Sequence, residues 1–182
     1  MLTPAALRCE FAERPLGLGT SRPRFSWQAI PLEAGRSVSA YQVLVAGSAE
    51  ALANSEGDLW DSGQKPASRV PLVEYSGTAL RSRQRAWWKV RLWDDLGRVG
   101  PWSEPDWFEL ALLHQDDWDA DWLGHPGSAS RGALYLRRRF VLAQKPVRAR
   151  LYVTGLGWYE AQLNGRKVGR QVLDPVPTDT SR

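Results

Sequence analysis

Sulfur and imidazole are nearly missing from this chain, which has one cysteine (Cys9), one methionine and two histidines (His114 and His125) in 182 residues. A lone cysteine excludes an intrachain disulfide framework and fits a reducing compartment. No apolar run approaches the length of a membrane span. The first residues, MLTPAALRCEFAERP, lack a basic region followed by an apolar stretch, so the expectation is a cytoplasmic protein with no secretion signal. Helical periodicity is also scarce. Only residues 48–58 (SAEALANSEGD) carry it, with Ser48 placed to cap a helix and Gly57 to end it.

What is abundant is tryptophan, ten in all, within a composition that is 43% hydrophobic. Large rings suit sheet surfaces and sandwich cores, and they also suit sugar-binding platforms. The net charge of +4 raises the question of nucleic acid, but the charged residues, 24% of the chain, intersperse both signs. A solvated mixed surface is expected, without a nucleic-acid partner. The basic run Arg137, Arg138, Arg139 with Arg148 and Arg150 is split over two faces by strand alternation, so it makes no continuous groove.

Short strand patterns separated by turn signals run through the first half. Residues 1–23, punctuated by Pro4, Pro15 and Pro23, are expected to be irregular or edge-like. Strands are expected around Phe25–Trp27, over Tyr41–Gly47, at Trp60–Gly63 entering a turn, and over Val70–Tyr75, where Pro71 restricts the strand to an edge. The strongest is Ala86–Trp93 (AWWKVRLW). Trp88, Val90 and Leu92 share the face assigned to the core. Trp87, Lys89, Arg91 and Trp93 share the other, where the two cations can lie against indoles. A turn over 94–97, a rigid loop over 101–105 and a closing strand at Trp107–Leu110 complete an antiparallel β-sandwich. Residues 113–130 turn acidic and then rich in glycine and serine, which marks a linker; beyond it, strands are expected over Leu134–Leu142 and Val147–Thr154.

The clearest local signal lies in LYVTGLGWYEAQLNGRKVG, residues 151–169. Tyr159, Ala161 and Leu163 alternate with Glu160, Gln162 and Asn164, and Asn164-Gly165 supplies the two residues a type I′ turn needs. That loop sets Ala161 opposite Val168. Gly155 and Gly157, bracketing Leu156, suggest a bend just before.

Two resemblances rest on these residues. Trp88, Val90 and Leu92, then Gly97, then Gly100-Pro101-Trp102-Ser103, resemble the last strands of a fibronectin type III module. The order WDSG, YSG, WWKVRLWD, FEL, DWDADW, LRRRF, ARLYVTGLGWYEAQLNG and then Val172-Leu173-Asp174-Pro175 resembles the N-terminal region of bacterial α-L-rhamnosidases of glycoside hydrolase family 78. The implied fold is all-β: two antiparallel β-sandwich domains, a fibronectin type III-like one over 1–112 and, after a linker over 113–130, an incomplete jelly-roll-like sandwich over 131–182. The implied function is the non-catalytic N-terminal portion of an enzyme that removes terminal α-L-rhamnose from glycans with inversion. An inverting pair of carboxyls about 6.5–9.5 Å apart is expected outside this chain, so no residue here is assigned a catalytic role and no cofactor is expected. The alternative is a free-standing carbohydrate-binding or adhesion module. In either case the incomplete second sandwich is expected to form a homodimer.

Four further readings concern individual side chains. Asp116, Asp117, Asp119 and Asp121 with His114 and His125 match no metal-loop spacing and are read as solvated linker acids. Cys9 is read as an inert thiol. Glu160 is read as an outward strand residue pairing with Lys167 or Arg166. An aromatic, an amide and a carboxylate suit hydroxyl recognition, so Trp158, Asn164 and Asp174 are the candidate sugar-binding residues.

Overall fold

A ten-residue strand organises the first half of the chain. The computed structural model describes residues 1–67, 72–124, 133–172 and 174–175, which divide into two units, Met1–Leu123 and Gly124–Arg182. In the first unit the strands are β1 (Leu2–Cys9), β2 (Arg24–Pro31), β3 (Val38–Ala46), β4 (Trp60–Asp61), β5 (Lys65–Pro66), β6 (Val73–Glu74), β7 (Arg85–Asp94) and β8 (Asp106–Glu109), with one short helix, α1 (Ala49–Ala53). They form two antiparallel sheets, one ordered β1-β2-β6 and the other β4-β3-β7-β8 with β5 also on β3.

Alternation along β7 divides its side chains as the sequence implies. Ala86, Trp88, Val90 and Leu92 are fully buried between the sheets, with Phe25 and Cys9 from the three-stranded sheet and Val43, Val45 and Phe108 from the five-stranded one. Aromatic rings hold the centre: Phe25 lies 4.5 Å from Trp88, 5.7 Å from Phe108 and 6.3 Å from Trp60, centroid to centroid. Tyr75 closes one side, its hydroxyl 2.6 Å from the Thr78 carbonyl oxygen. Burial, then the charge of Asp58, pushes that phenol up to about 12.

β1 is an edge strand, and it tolerates Pro4 because that residue's missing N–H costs an edge nothing. A register shift between Ala5 and Arg8, with Ala6 in the left-handed region (φ 49°), twists this edge away from further pairing. The helix is shorter than the sequence suggests. Ser48 caps it, accepting from the Ala51 N–H at 3.0 Å, but it ends at Ala53 rather than at Gly57, with Ser55 in the left-handed region (φ 62°). Gly57 serves a different need: a Cβ there would lie 2.6 Å from the Trp60 carbonyl oxygen and 2.9 Å from Leu44.

In the second unit, regular pairing among the described residues is limited to β9 (Gln162–Leu163) with β10 (Arg166–Lys167) and a single bridge between Tyr159 and Asp174. The strands expected over Leu134–Leu142 and Val147–Thr154 are not found among the described residues. Tyr135, Phe140, Val141 and Val147 carry strand-like patterning but are exposed, with no ladder to a described neighbour. Alternation sets a propensity, whereas a strand exists only when a neighbour accepts its backbone groups. Val70, Pro71, His125 and Leu173 lie outside the described residues, as do residues 125–132, which include the Gly/Ser-rich end of the linker expected over 113–130, and the stretch 176–182.

Candidate functional site

The β9–β10 hairpin is fixed by its turn. Asn164 and Gly165 both take positive φ (50° and 76°), the two left-handed residues of a type I′ loop. Leu163 then pairs with Arg166 and Gln162 with Lys167; the Val168 N–H donates to the Ala161 carbonyl at 2.8 Å, which places Val168 opposite Ala161. On the N-terminal side the chain bends at Leu156–Gly157, and the Tyr159 N–H donates to the Asp174 carbonyl at 2.8 Å.

Beside this ladder lies a surface concavity of about 310 Å³ lined by Trp158, Tyr159, Glu160, Lys167 and Val172. That volume is at the lower bound of small-molecule sites, about 300 Å³. Trp158, 65% exposed, offers an apolar ring of the kind that stacks on a sugar face. Across from it the Lys167 ammonium and the Glu160 carboxylate form an ion pair at 3.0 Å, and the Gln162 amide donates to the same carboxylate at 3.0 Å. The hydrogen bond from Gln162, then those from Lys167 and its charge, hold Glu160 below the usual carboxylate range. A general acid needs the opposite shift, so Glu160 is an ion-paired residue flanking β9.

Of the three residues named from sequence, the structure brings two to one neighbourhood. Trp158 lines the concavity, and Asp174 is the backbone partner of Tyr159 next to it. Burial, then the Asp174 charge, pushes the Tyr159 phenol up, and its hydroxyl donates to the Val153 carbonyl at 3.2 Å. Asn164 occupies the hairpin tip and is not among the lining residues. Sequence reasoning missed Tyr159 and Val172 as lining residues. Tyr159 was legible only as one member of an alternation, and Val172 reaches the site after the turn has reversed the chain.

The other candidates have structural explanations. Cys9 is fully buried, and burial, with the Glu10 and Asp106 charges added, pushes its thiol up, away from thiolate chemistry. Among the described residues no group of three His, Cys, Asp or Glu could hold a metal ion, and no helix is long and apolar enough to cross a membrane. The outer face of β7 carries the expected cation and indole contacts with an added partner, Trp102. Lys89 lies 5.0 Å from its ring and Arg91 4.6 Å, while Arg91 also sits 5.0 Å from Trp93 and Arg85 4.0 Å from Trp107. Lys89 is only 6% exposed; its ammonium donates to the Leu52 carbonyl at 2.7 Å and to Ser55 at 3.0 Å, so it tethers the end of α1.

Comparison with known proteins assigns both units. The family described as "Rha78A-like, N-terminal immunoglobulin domain" matches residues 4–114, and "Alpha-L-rhamnosidase N-terminal domain" matches residues 144–182. An α-L-rhamnosidase of Formosa agariphila is 37% identical over 174 residues, covering 90% of this chain and 19% of that protein. One from Streptomyces avermitilis is 44% identical over 117 residues, covering 64% and 11%. Among solved structures, a Streptomyces avermitilis α-L-rhamnosidase in complex with L-rhamnose aligns with a TM-score of 0.65 at 40% identity, over 69% of this chain and 12% of that one. An α-L-rhamnosidase from Dictyoglumus thermophilum aligns with a TM-score of 0.63 at 36% identity, over 65% and 13%. The chain thus spans about a fifth of the length of the curated relatives that cover most of it. It belongs to the α-L-rhamnosidase family, of which it represents the N-terminal region.

Proposed function

We propose that this chain is a non-catalytic positioning module, and that removal of terminal α-L-rhamnose from glycans is the work of the polypeptide that its relatives carry beyond the matched region. The supporting observation is the asymmetry of coverage: 90% of this chain against 19% of the relative. The module would pack against the catalytic portion and shape the approach of a glycan. The exposed apolar side chains of the second unit, Leu156 and Val172 among them, also support self-association through that unit. One preparation of the purified 182-residue chain tests the reading. It is expected to leave a chromogenic α-L-rhamnoside uncleaved and to sediment with a concentration-dependent coefficient. Turnover above a blank would end the scaffold reading, and a concentration-independent monomer would end the self-association.

A second reading has its own observation, the exposed Trp158 indole at the rim of a sugar-sized concavity. Here the second unit holds a sugar, with Trp158 stacking and the groups around Asp174 recognising hydroxyls. Titration with L-rhamnose, with and without calcium, is then expected to saturate, and Trp158→Ala to weaken binding by about tenfold or more, as for loss of an aromatic worth about 1.5 kcal/mol. No saturation, or an unchanged titration in the variant, would reduce the module to a scaffold.

A further inference from the structure

We propose that Ser82, Arg83 and Asp117 form a latch that fixes the path by which the chain leaves its first unit. The inference rests on the positioning role proposed above, because a module can orient the polypeptide beyond it only if its exit is rigid. The latch residue Asp117 lies between the two matched family ranges, after residue 114 and before residue 144.

The geometry is a closed relay. The Leu113 N–H donates to Ser82 Oγ at 2.8 Å, and the Ser82 hydroxyl donates its own proton to Asp117 Oδ2. The same carboxylate oxygen accepts from the His114 N–H at 2.9 Å, closing a 3-10 turn over Gln115–Asp117. Arg83 reaches over the turn: Nη2 donates to the Asp117 carbonyl at 2.6 Å and lies 3.4 Å from the Asp119 carboxylate. Arg83 is held with φ at 65°, in the left-handed region that a residue with a Cβ seldom occupies, while its N–H donates to the Ala111 carbonyl at 3.0 Å. Such a conformation persists where surrounding contacts enforce it. Upstream, the partly buried Leu113 packs against the core, so the relay joins a residue held on the core to the first acids of the exit segment. The hydrogen bond from Ser82, then that from the His114 backbone, holds the Asp117 carboxyl below its ordinary value, so the latch keeps its charge throughout the neutral range. The other acids of this stretch, Asp116, Asp119 and Asp121, are exposed.

Hydrogen exchange on the full chain reads the latch directly. In the unmodified protein the amides of Leu113, His114, Asp117 and Trp118 are expected to be protected. In Ser82→Ala and in Asp117→Ala their exchange is expected to rise by about tenfold, the worth of one or two hydrogen bonds, while amides in β3 and β7 keep their rates. Ser82→Thr, which retains the hydroxyl, is expected to keep the protection. Unchanged exchange at 113–118 in both variants would overturn the proposal. So would a rise spread equally over β3 and β7, which would make these residues general supports of the fold. Turnover by the isolated chain would end the positioning role and leave this exchange result untouched.

Discussion

Trp88→Ala is expected to destabilise the first unit by about 3–5 kcal/mol, the range for removing a fully buried large aromatic. Against a total stability of roughly 5–15 kcal/mol for a domain of this kind, that loss leaves the unit at the margin of folding. Trp88 is completely inaccessible, and its ring lies 4.5 Å from Phe25 where the two sheets meet. The Val90 N–H and carbonyl on the same strand are tied to Ser103, so the backbone cannot collapse freely into the space left behind. A second variant separates ring packing from volume. The indole Nε1 is buried without a hydrogen-bond partner among the described residues, and an unmet donor of that kind costs about 1–3 kcal/mol. Trp88→Phe removes that donor and keeps one ring against Phe25, so it is expected to lose much less than Trp88→Ala. Chemical denaturation followed by near-ultraviolet circular dichroism measures both. Equal losses in the two variants would show that the full indole outline, rather than aromatic contact, holds the core.

The parts of this architecture that were legible in the sequence are those whose cause is local. Alternation along β7 identified Trp88, Val90 and Leu92 as core residues because every second side chain must face the same way. Asn164-Gly165 identified the hairpin because two adjacent residues at positive φ need little beyond themselves. The features that escaped depend on residues distant in sequence. Trp102 became the main indole for Lys89 and Arg91 only because the loop after β7 folds back over its outer face. Asp117 looked like its acidic neighbours and differs from them through Ser82, 35 residues earlier. Leu134–Leu142 and Val147–Thr154 show the reverse case. Their patterning is that of strands, yet the described residues supply no ladder partner, and periodicity cannot report whether a partner is present.

The candidate site obeys the same division. Trp158 could be named as an aromatic beside the hairpin, and Glu160 as a partner of Lys167 or Arg166; the register, with Gln162 opposite Lys167, selects Lys167. The concavity itself depends on Val172 returning past Tyr159, a contact that the turn chemistry alone does not imply. The family of the module could be read only from the order of many short segments, since no side chain among the described residues carries a reactive arrangement by itself.

Gly100→Ala is expected to be strongly damaging where the sheets approach, and its cause differs from that at a turn. Gly97, close by, sits at φ 75° with no described residue near the position of a Cβ, so Gly97→Ala meets only backbone strain, about 1 kcal/mol or slightly more. Gly100 has no left-handed φ, yet a Cβ there would be driven into the carbonyl oxygen of Leu2. That oxygen cannot swing aside, because Leu2 is paired with Pro31 in the β1–β2 ladder and its side chain is buried in the core. Gly100 cannot retreat either, since its N–H donates to the Leu92 carbonyl at 2.8 Å. Relief requires breaking that hydrogen bond or lifting the start of β1, which would also expose the Leu2 side chain, worth about 1.5–3 kcal/mol of burial. The expected order is therefore a loss of roughly 2–4 kcal/mol for Gly100→Ala and a clearly smaller one for Gly97→Ala, with exchange of β1 amides accelerated only in the first. The reverse order would mean that β1 yields easily at its start, and that the two sheets are joined mainly through the aromatic centre around Phe25 and Trp88.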